Sequence, residues 1–360
     1  MKSYKFSELI EEITEYNTEL KYGLNDIVGV TIEKALIPTI ANLTQTSLEK
    51  FYIVKPNTFV YNPRTHGVRL GMGYNQTERT YITTWNNFAF KVKDTMLDVL
   101  NPDYLWMYFN RSEWDRETNF KAWGSSTIVF SWNIFMDMSI KLPEKSIQDT
   151  LVKQYTIIKN RIELKKKMND NLESQAEAIY TEMIVNNSDN CQISTLGEIS
   201  TIKTGKLNSE AAVTNGIYPF FTCSQETYRT NTFSFNQEAV LLAGNNASAI
   251  YPLKIYCGKF DAYQRTYVIS SKNKFVSNKQ LYFVLKHQLN EFKGISSGTA
   301  TKFLTMKILP PIPLIIATEN IANSFINATD KMFEIIFQNQ HEIEYLNELR
   351  MIILGELSRN

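Results

Sequence analysis

Little in this chain of 360 residues lends itself to covalent chemistry. The three cysteines, Cys191, Cys223 and Cys257, lie far apart and form no Cys-x-x-Cys pair, and His66, His287 and His341 are equally scattered. No disulfide framework and no zinc site is therefore expected, and a reducing cytoplasm is the expected location. No run of about 18 apolar residues occurs, and Met1 to Leu20 lacks a charged-then-apolar export pattern, so no membrane partner is expected. The phosphate-cradling GxxxxGK[ST] loop is missing, because Gly205-Lys206 and Gly258-Lys259 are followed by Leu207 and Phe260. No GxGxxG follows a strand. Asn62-Pro63-Arg64 approaches the Asn-Pro-Pro-aromatic segment of amino-methyltransferases but lacks the second proline and the ring. Glu163-Leu164-Lys165 has a nuclease-like spacing, yet it falls in mid-helix without an upstream carboxylate, and Gly71-Met72-Gly73 is a turn signal. These gaps point to a binding protein that is not itself an enzyme and carries no cofactor or metal.

What the chain does have, it has twice. Ile147, Leu151, Ile158, Leu172, Ile179 and Met183 form a long helical stripe, which reappears 174 residues later as Ile321, Phe325, Met332, Leu346, Ile353 and Leu357. Each stripe closes an aromatic-rich globule, and each is preceded by a small-residue turn and a proline stop. The turns are Trp123-Gly124-Ser125-Ser126-Thr127 and Ser296-Ser297-Gly298-Thr299-Ala300; the stops are Lys141-Leu142-Pro143 and Leu309-Pro310-Pro311-Ile312-Pro313. A tandem duplication of this kind predicts two related globules with pseudo-two-fold symmetry, which suits a ligand that is itself nearly two-fold, such as duplex DNA. Each helix would be roughly 54 Å long at 1.5 Å per residue, too long to stand alone with a polar face. Antiparallel packing of the two as a coiled-coil spacer is the economical arrangement. The heptad spacing reads as irregular: Lys165 and Asn339 interrupt the stripe, and Ile336 and Ile343 need a shifted register, features that tune alignment.

Net charge is only +1, but it is unevenly spread. Residues 191 to 310 hold 13 Lys and Arg against 6 Asp and Glu, and residues 50 to 93 hold 7 against 1. The helical segments are neutral to acidic, with 7 against 8 over 143 to 190 and 3 against 7 over 311 to 360. Clustered cations are what phosphate binding rewards, through counterion release.

Pattern and turn chemistry predict a helix over Phe6 to Glu19, strands at Val54 to Val60, Thr80 to Thr84 and Phe88 to Val92, and a helix over Pro102 to Phe109 capped by Asn101. The second globule follows the same plan, with strands at Ile193 to Thr201, Ala239 to Leu242, Lys254 to Tyr256 and Thr266 to Ile269 and a helix over Lys279 to Lys286. Polar loops beside these strands carry the candidate DNA contacts. In the first globule they are Asn62, Arg64, Arg69, Asn75 and Arg79; in the second, Lys203, Lys206, Ser224, Gln225, Arg229, Asn245, Asn246, Tyr263, Gln264 and Arg265. Arg suits guanine O6 and N7, Asn and Gln suit adenine N6 and N7, and Lys and Ser more often hold phosphates.

The order of globule, small-residue turn, proline and long helix, repeated once, resembles the specificity subunit of type I restriction-modification enzymes. So does Leu196-Gly197-Glu198-Ile199 running into Lys203-Thr204-Gly205-Lys206, and Leu309-Pro310-Pro311-Ile312-Pro313 leading to Thr318-Glu319-Asn320-Ile321. The first half opens with Phe6-Ser7-Glu8-Leu9-Ile10 but lacks a clear Lys-x-Gly-Lys loop. The resemblance implies an α/β (α+β) chain with two target-recognition domains, at residues 1–142 and 188–313, and two spacer helices, at 143–187 and 314–360. It implies a non-catalytic reader of an asymmetric, bipartite double-stranded DNA target. Its partners would be two methyltransferase subunits carrying S-adenosylmethionine, with restriction subunits adding ATP- and magnesium-dependent cleavage. A recognition subunit of a related system that cuts near its site, or a coiled-coil scaffold with no DNA role, are the competing expectations.

Overall fold

A computed structural model describes residues 1–39, 43, 46–65, 69–122, 128–187, 191–214, 216–295 and 302–359. Both small-residue turns, at 123–127 and 296–300, and His66 lie outside the described residues. The chain divides into two compact units, Met1–Ile162 with Tyr345–Asn360, and Glu163–Glu344.

The first unit is built from strands β1 (Lys2–Lys5), β2 (Ile10–Glu12), β3 (Val28–Val30), β4 (Leu36–Pro38), β5 (Tyr52–Val54), β6 (Phe59–Tyr61), β7 (Met72–Tyr74), β8 (Tyr81–Thr83), β9 (Phe88–Val92) and β10 (Ser139–Leu142). Its helices are α1 (Phe6–Leu9), α2 (Pro102–Phe109), α3 (Ser112–Lys121), α4 (Trp132–Asp137) and the first half of α5 (Lys145–Tyr180). A four-stranded sheet in the order β2-β9-β6-β7 is flanked by the pairs β1-β10, β3-β4 and β5-β8. The helix expected over Phe6 to Glu19 is a single turn, because both flanks are claimed by distant strands: β1 pairs with β10, and β2 with β9. The strand expected over Val54 to Val60 is two strands, parted by a turn in which Asn57 has φ of 63°. Helix α2 begins where expected, with the Asn101 side chain accepting from Asp103 N at 2.8 Å. Buried rings fill the core: Phe59 stacks on Phe90 at 5.1 Å, Phe109 meets Trp114 at 4.7 Å, and Trp114 Nε1 donates to Met72 Sδ at 3.3 Å.

The second unit repeats the entry. Strand β11 (Gln192–Thr195), one-turn helix α6 (Leu196–Ile199) and strand β12 (Ser200–Thr204) succeed one another like β1, α1 and β2. Both short helices carry a glutamate that reaches back to the capping backbone, Glu8 to Lys5 N and Glu198 to Thr195 N. Next come β13 (Tyr218–Phe221), β14 (Thr227–Thr230), β15 (Phe235–Ala243), β16 (Asn245–Asn246), β17 (Leu253–Ala262), β18 (Thr266–Ser271), helix α7 (Asn278–Ile295), β19 (Lys302–Phe303), β20 (Pro313–Ile316) and helix α8 (Glu319–Arg359). Six strands form one sheet in the order β12-β18-β15-β17-β13-β14, antiparallel except for β13 with β17. Alternation along β15 sends Val240 and Leu242 into a core shared with α7, and Ala239 and Leu241 into a second cluster with Phe221, Tyr256 and Phe260.

The long helices are more regular than their apolar residues suggest. In α5 the inward positions are Gln148, Leu151, Tyr155, Ile158, Ile162, Lys165, Asn169, Leu172, Ala176 and Ile179, spaced alternately by three and four residues, and none is exposed. Those of α8 are Ala322, Phe325, Thr329, Met332, Ile336, Asn339, Ile343, Leu346, Arg350, Ile353 and Leu357, the first ten being the α5 set advanced by 174 residues. This is an unbroken heptad pattern, which corrects the expectation of irregular spacing. It also corrects the placement of Ile147, which is 50% exposed, whereas Gln148 is fully buried. Within the second unit the α5 and α8 segments run antiparallel, with Tyr180 meeting Phe325 at 6.2 Å and Lys165 meeting Asn339. In the first unit Leu151, Val152 and Tyr155 share a core with Ile353, Leu354 and Leu357.

Lys165 and Asn339 are each other's duplicates, and they touch: Lys165 Nζ donates to Asn339 Oδ1 at 2.7 Å. Asn339 donates in turn to Asn169 Oδ1 at 2.7 Å, and Lys165 pairs with Glu342 at 2.8 Å. This polar layer satisfies itself, so removing one member leaves others without partners. Asn339→Leu should lower stability by about 1–3 kcal/mol. The triple variant Lys165→Leu/Asn169→Leu/Asn339→Leu should recover most of that loss, since it replaces every inward member of the layer with an apolar side chain that suits the surrounding stripe. Chemical denaturation of the three proteins measures both; a triple variant no more stable than Asn339→Leu would show that the layer is not a coupled unit.

Candidate nucleic-acid interface

In the second unit the turn between β17 and β18 is where the candidate loops converge. Gly205 N donates to Thr266 O at 3.3 Å and Gln264 N to Leu207 O at 2.9 Å, which brings the Lys203 to Lys206 strand end against Tyr263, Gln264 and Arg265. Tyr263 N donates to Phe221 O at 2.9 Å, and Cys223 Sγ to Arg265 O at 3.4 Å, which adds the loop carrying Ser224 and Gln225. Gly244 N donates to Arg265 O at 2.7 Å, and Asn245 and Asn246 pair with Phe303 and Lys302. Glycine is required at two of these approaches: a Cβ on Gly205 would lie 1.8 Å from Ala262 O, and one on Gly244 2.5 Å from Arg265 O. A recess of about 450 Å³ lies beside the turn, lined by Thr204, Gly244, Gln264, Arg265, Tyr267 and Phe303 among others.

The side chains divide into those that build the loops and those that face out. Asn246 Oδ1 accepts from Ser248 N at 2.8 Å and so closes a turn, and Ser224 Oγ accepts from Glu226 N at 3.1 Å. Asn245 Oδ1 is buried with no partner among the described residues. Lys203, Lys206, Gln225, Gln264 and Arg265 are exposed. The Arg265 guanidinium rests over the Phe303 ring at 5.3 Å, and no acceptor claims it among the described residues. Arg229 stands apart on β14, donating to Ile217 O at 3.1 Å and pairing with Glu344 at 3.4 Å. Nearby Lys254 is pushed down to about 8 by burial, with Glu226 opposing the shift, so its charge is held at a cost that a surface lysine does not bear.

The first unit is less generous. Asn75, expected at the surface, is 1% exposed; its amide donates to Val54 O and Arg79 O at 3.1 and 2.8 Å, and its oxygen accepts from Thr77 N. It builds a turn. Arg79 is held by Asp26 at 2.5 Å, which keeps the Asp26 carboxyl below its usual range, and Arg69 lies 3.7 Å from Asp115. Asn62 accepts from Arg64 N at 2.9 Å. The exposed Arg64 side chain, like that of Arg265, has no acceptor among the described residues. Phe303 and Lys302 carried no sequence signal: a Lys-Phe dipeptide is ordinary, and only its pairing with β16 brings it to the turn.

Among the described residues no group of His, Cys, Asp and Glu could hold a metal ion, and no helix is long and apolar enough to cross a membrane. Residues 188–345 match the family described as the type I restriction modification DNA specificity domain. Over 109 residues, 30% of this chain, the sequence is 38% identical to the specificity subunit of the type I restriction enzyme EcoDI of Escherichia coli, and the match spans 23% of that relative's length. The S subunit of a type I restriction-modification system from M. genitalium shares the fold over 99% of this chain and 95% of its own, with a TM-score of 0.58 at 14% identity. Residues 188–345, the greater part of the second unit with its spacer helix, thus resemble a type I DNA specificity domain, and the chain as a whole shares its fold with a type I S subunit.

Proposed function

We propose that the chain is the specificity subunit of a type I restriction-modification complex and reads a two-part asymmetric sequence in double-stranded DNA, one part through each unit. The observation that supports this most is the convergence of Lys203, Lys206, Gln264 and Arg265 on one turn of the matched domain, with the Arg265 donors unclaimed. Lysines at the strand end would neutralise phosphates, while Gln264 and Arg265 would meet base edges. In the first unit Arg64 is the side chain best placed for a base contact. The paired helices would set the unread gap between the two parts. The chain itself would supply no bond-making step: methyl transfer would belong to two methyltransferase subunits that bind S-adenosylmethionine, and cleavage to restriction subunits that use ATP and magnesium.

Sequencing of methylated adenines in cells that carry this chain with its partner subunits tests the proposal. One split, asymmetric motif is expected; no motif, or a contiguous one, would sink it. The lysines give a separate readout. Lys203→Ala and Lys206→Ala should each weaken DNA binding about equally for all sequences and reduce the slope of log affinity against log salt by about 0.9. An unchanged slope would remove them from the phosphate contact.

A further inference from the structure

The arginines of the candidate interface differ in what holds them. Arg79, Arg69 and Arg229 lie beside carboxylates of their own unit, so their donors are engaged within the protein. Arg265 has an aromatic ring instead. A ring face attracts a guanidinium within about 6 Å but takes none of its hydrogen bonds, which leaves the full planar fork available to a ligand. Both ends of this contact are fixed. The Arg265 carbonyl accepts from Gly244 N, and Phe303 is held by its pairing with Asn245, by Leu304 N donating to Gly244 O at 2.9 Å, and by Tyr267 donating to Leu304 O at 2.9 Å. Gly244 therefore ties the arginine's backbone and the ring's strand to one point.

We infer that Phe303 is the positioning residue of this interface: its ring orients Arg265 to grip O6 and N7 of a guanine in the part of the target read by the second unit. This rests on the DNA-reading role proposed above. A guanidinium on a flexible side chain loses conformational freedom when it makes a bidentate contact; one already lying on a ring loses less, so the ring sharpens discrimination at one base pair without touching the base.

The test is selection by the full-length chain from randomised duplex DNA, with sequencing of the bound fraction. Arg265→Ala should lose preference for one G·C pair, by roughly ten- to hundred-fold. Phe303→Ala and Phe303→Leu should lose preference at that same pair and at no other, Phe303→Tyr should keep it, and Arg265→Ala/Phe303→Ala should be no worse than Arg265→Ala. Phe303→Leu retains apolar bulk, so its failure separates the ring face from packing. Full preference in Phe303→Leu, or an equal loss at every position in both Phe303 variants, would overturn the inference and leave DNA reading standing. Loss at an A·T pair would overturn the guanine assignment. A wild-type chain that enriches no sequence would overturn the DNA-reading role, and the inference with it.

Discussion

Four residues inserted into both long helices, beside Lys165 in α5 and beside Asn339 in α8, should lengthen the unread gap of the DNA target and leave both recognised parts unchanged. Four residues add about 6 Å of helix, close to the rise of one to two base pairs at about 3.4 Å each. The site is chosen because Lys165 and Asn339 are equivalent positions that meet, so paired insertions there keep every remaining heptad layer opposite its present partner. A four-residue insertion acts as a local stutter that the coil absorbs by unwinding; seven residues would add a whole heptad and disturb the phase less. An insertion into α5 alone should behave differently. It would slide the layers on one side of the insertion out of register, part Asn339 from Lys165 or from Asn169, and yield a poorly folded chain. Methylated-adenine sequencing reads the gap directly, and an unaltered gap in a folded double-insertion variant would end the role of the helices as a ruler.

The heptads also show what the sequence conceals. Reading apolar residues alone puts Ile147 in the stripe and makes the spacing look broken. The buried position is Gln148, whose oxygen accepts from Asn101 N at 3.0 Å and whose amide donates to Val99 O and Pro143 O at 2.8 and 2.9 Å. A polar residue with all its hydrogen bonds met can occupy a core position, and partners nearly fifty residues away are invisible in a local pattern. Lys165, Asn169 and Asn339 hide the regular repeat in the same way, through the bonds that Asn339 makes to the other two. Elements whose cause is local were legible: α2 with its Asn101 cap and Pro102, and β9 with its run of Phe88, Phe90 and Val92. The one-turn helix α1 was not, because strands from β9 and β10 impose its limits. The interface follows the same division. Lys203 to Lys206 and Tyr263 to Arg265 could be picked out by residue type and turn chemistry, but residue type does not reveal whether a carboxylate waits nearby, as Asp26 does for Arg79 and Glu344 for Arg229. Asn75 fails for a related reason: an asparagine that closes a turn inward has the same letter as one that faces DNA.

Gly205 carries the second large expected effect. Gly205→Ala should abolish recognition of the second unit's part of the target, by about a hundred-fold or more, while the first unit's part is still read. The added Cβ would fall 1.8 Å from Ala262 O, 2.1 Å from Ala262 C and 2.7 Å from Tyr263 O, all of them backbone atoms that cannot rotate away. Relief requires the strand end after β12 to part from the β17–β18 turn, which breaks the bonds from Gly205 N to Thr266 O and from Gln264 N to Leu207 O and moves Lys206 away from Arg265. A shift of about 1 Å between groups that must contact one ligand together is enough to remove most of their joint effect. The global cost should be modest, about 1–3 kcal/mol, because Leu207 and Gln264 lie outside the buried cores on either face of the sheet. Gly355→Ala is the matched control: its Cβ meets nothing within 4 Å, and alanine favours helix by about 0.5–1 kcal/mol over glycine, so it should be neutral or stabilising and leave both parts of the motif intact. Binding selection on the two variants separates the cases. If Gly205→Ala is folded and still discriminates in both parts, the convergence of loops on that turn is not what reads DNA.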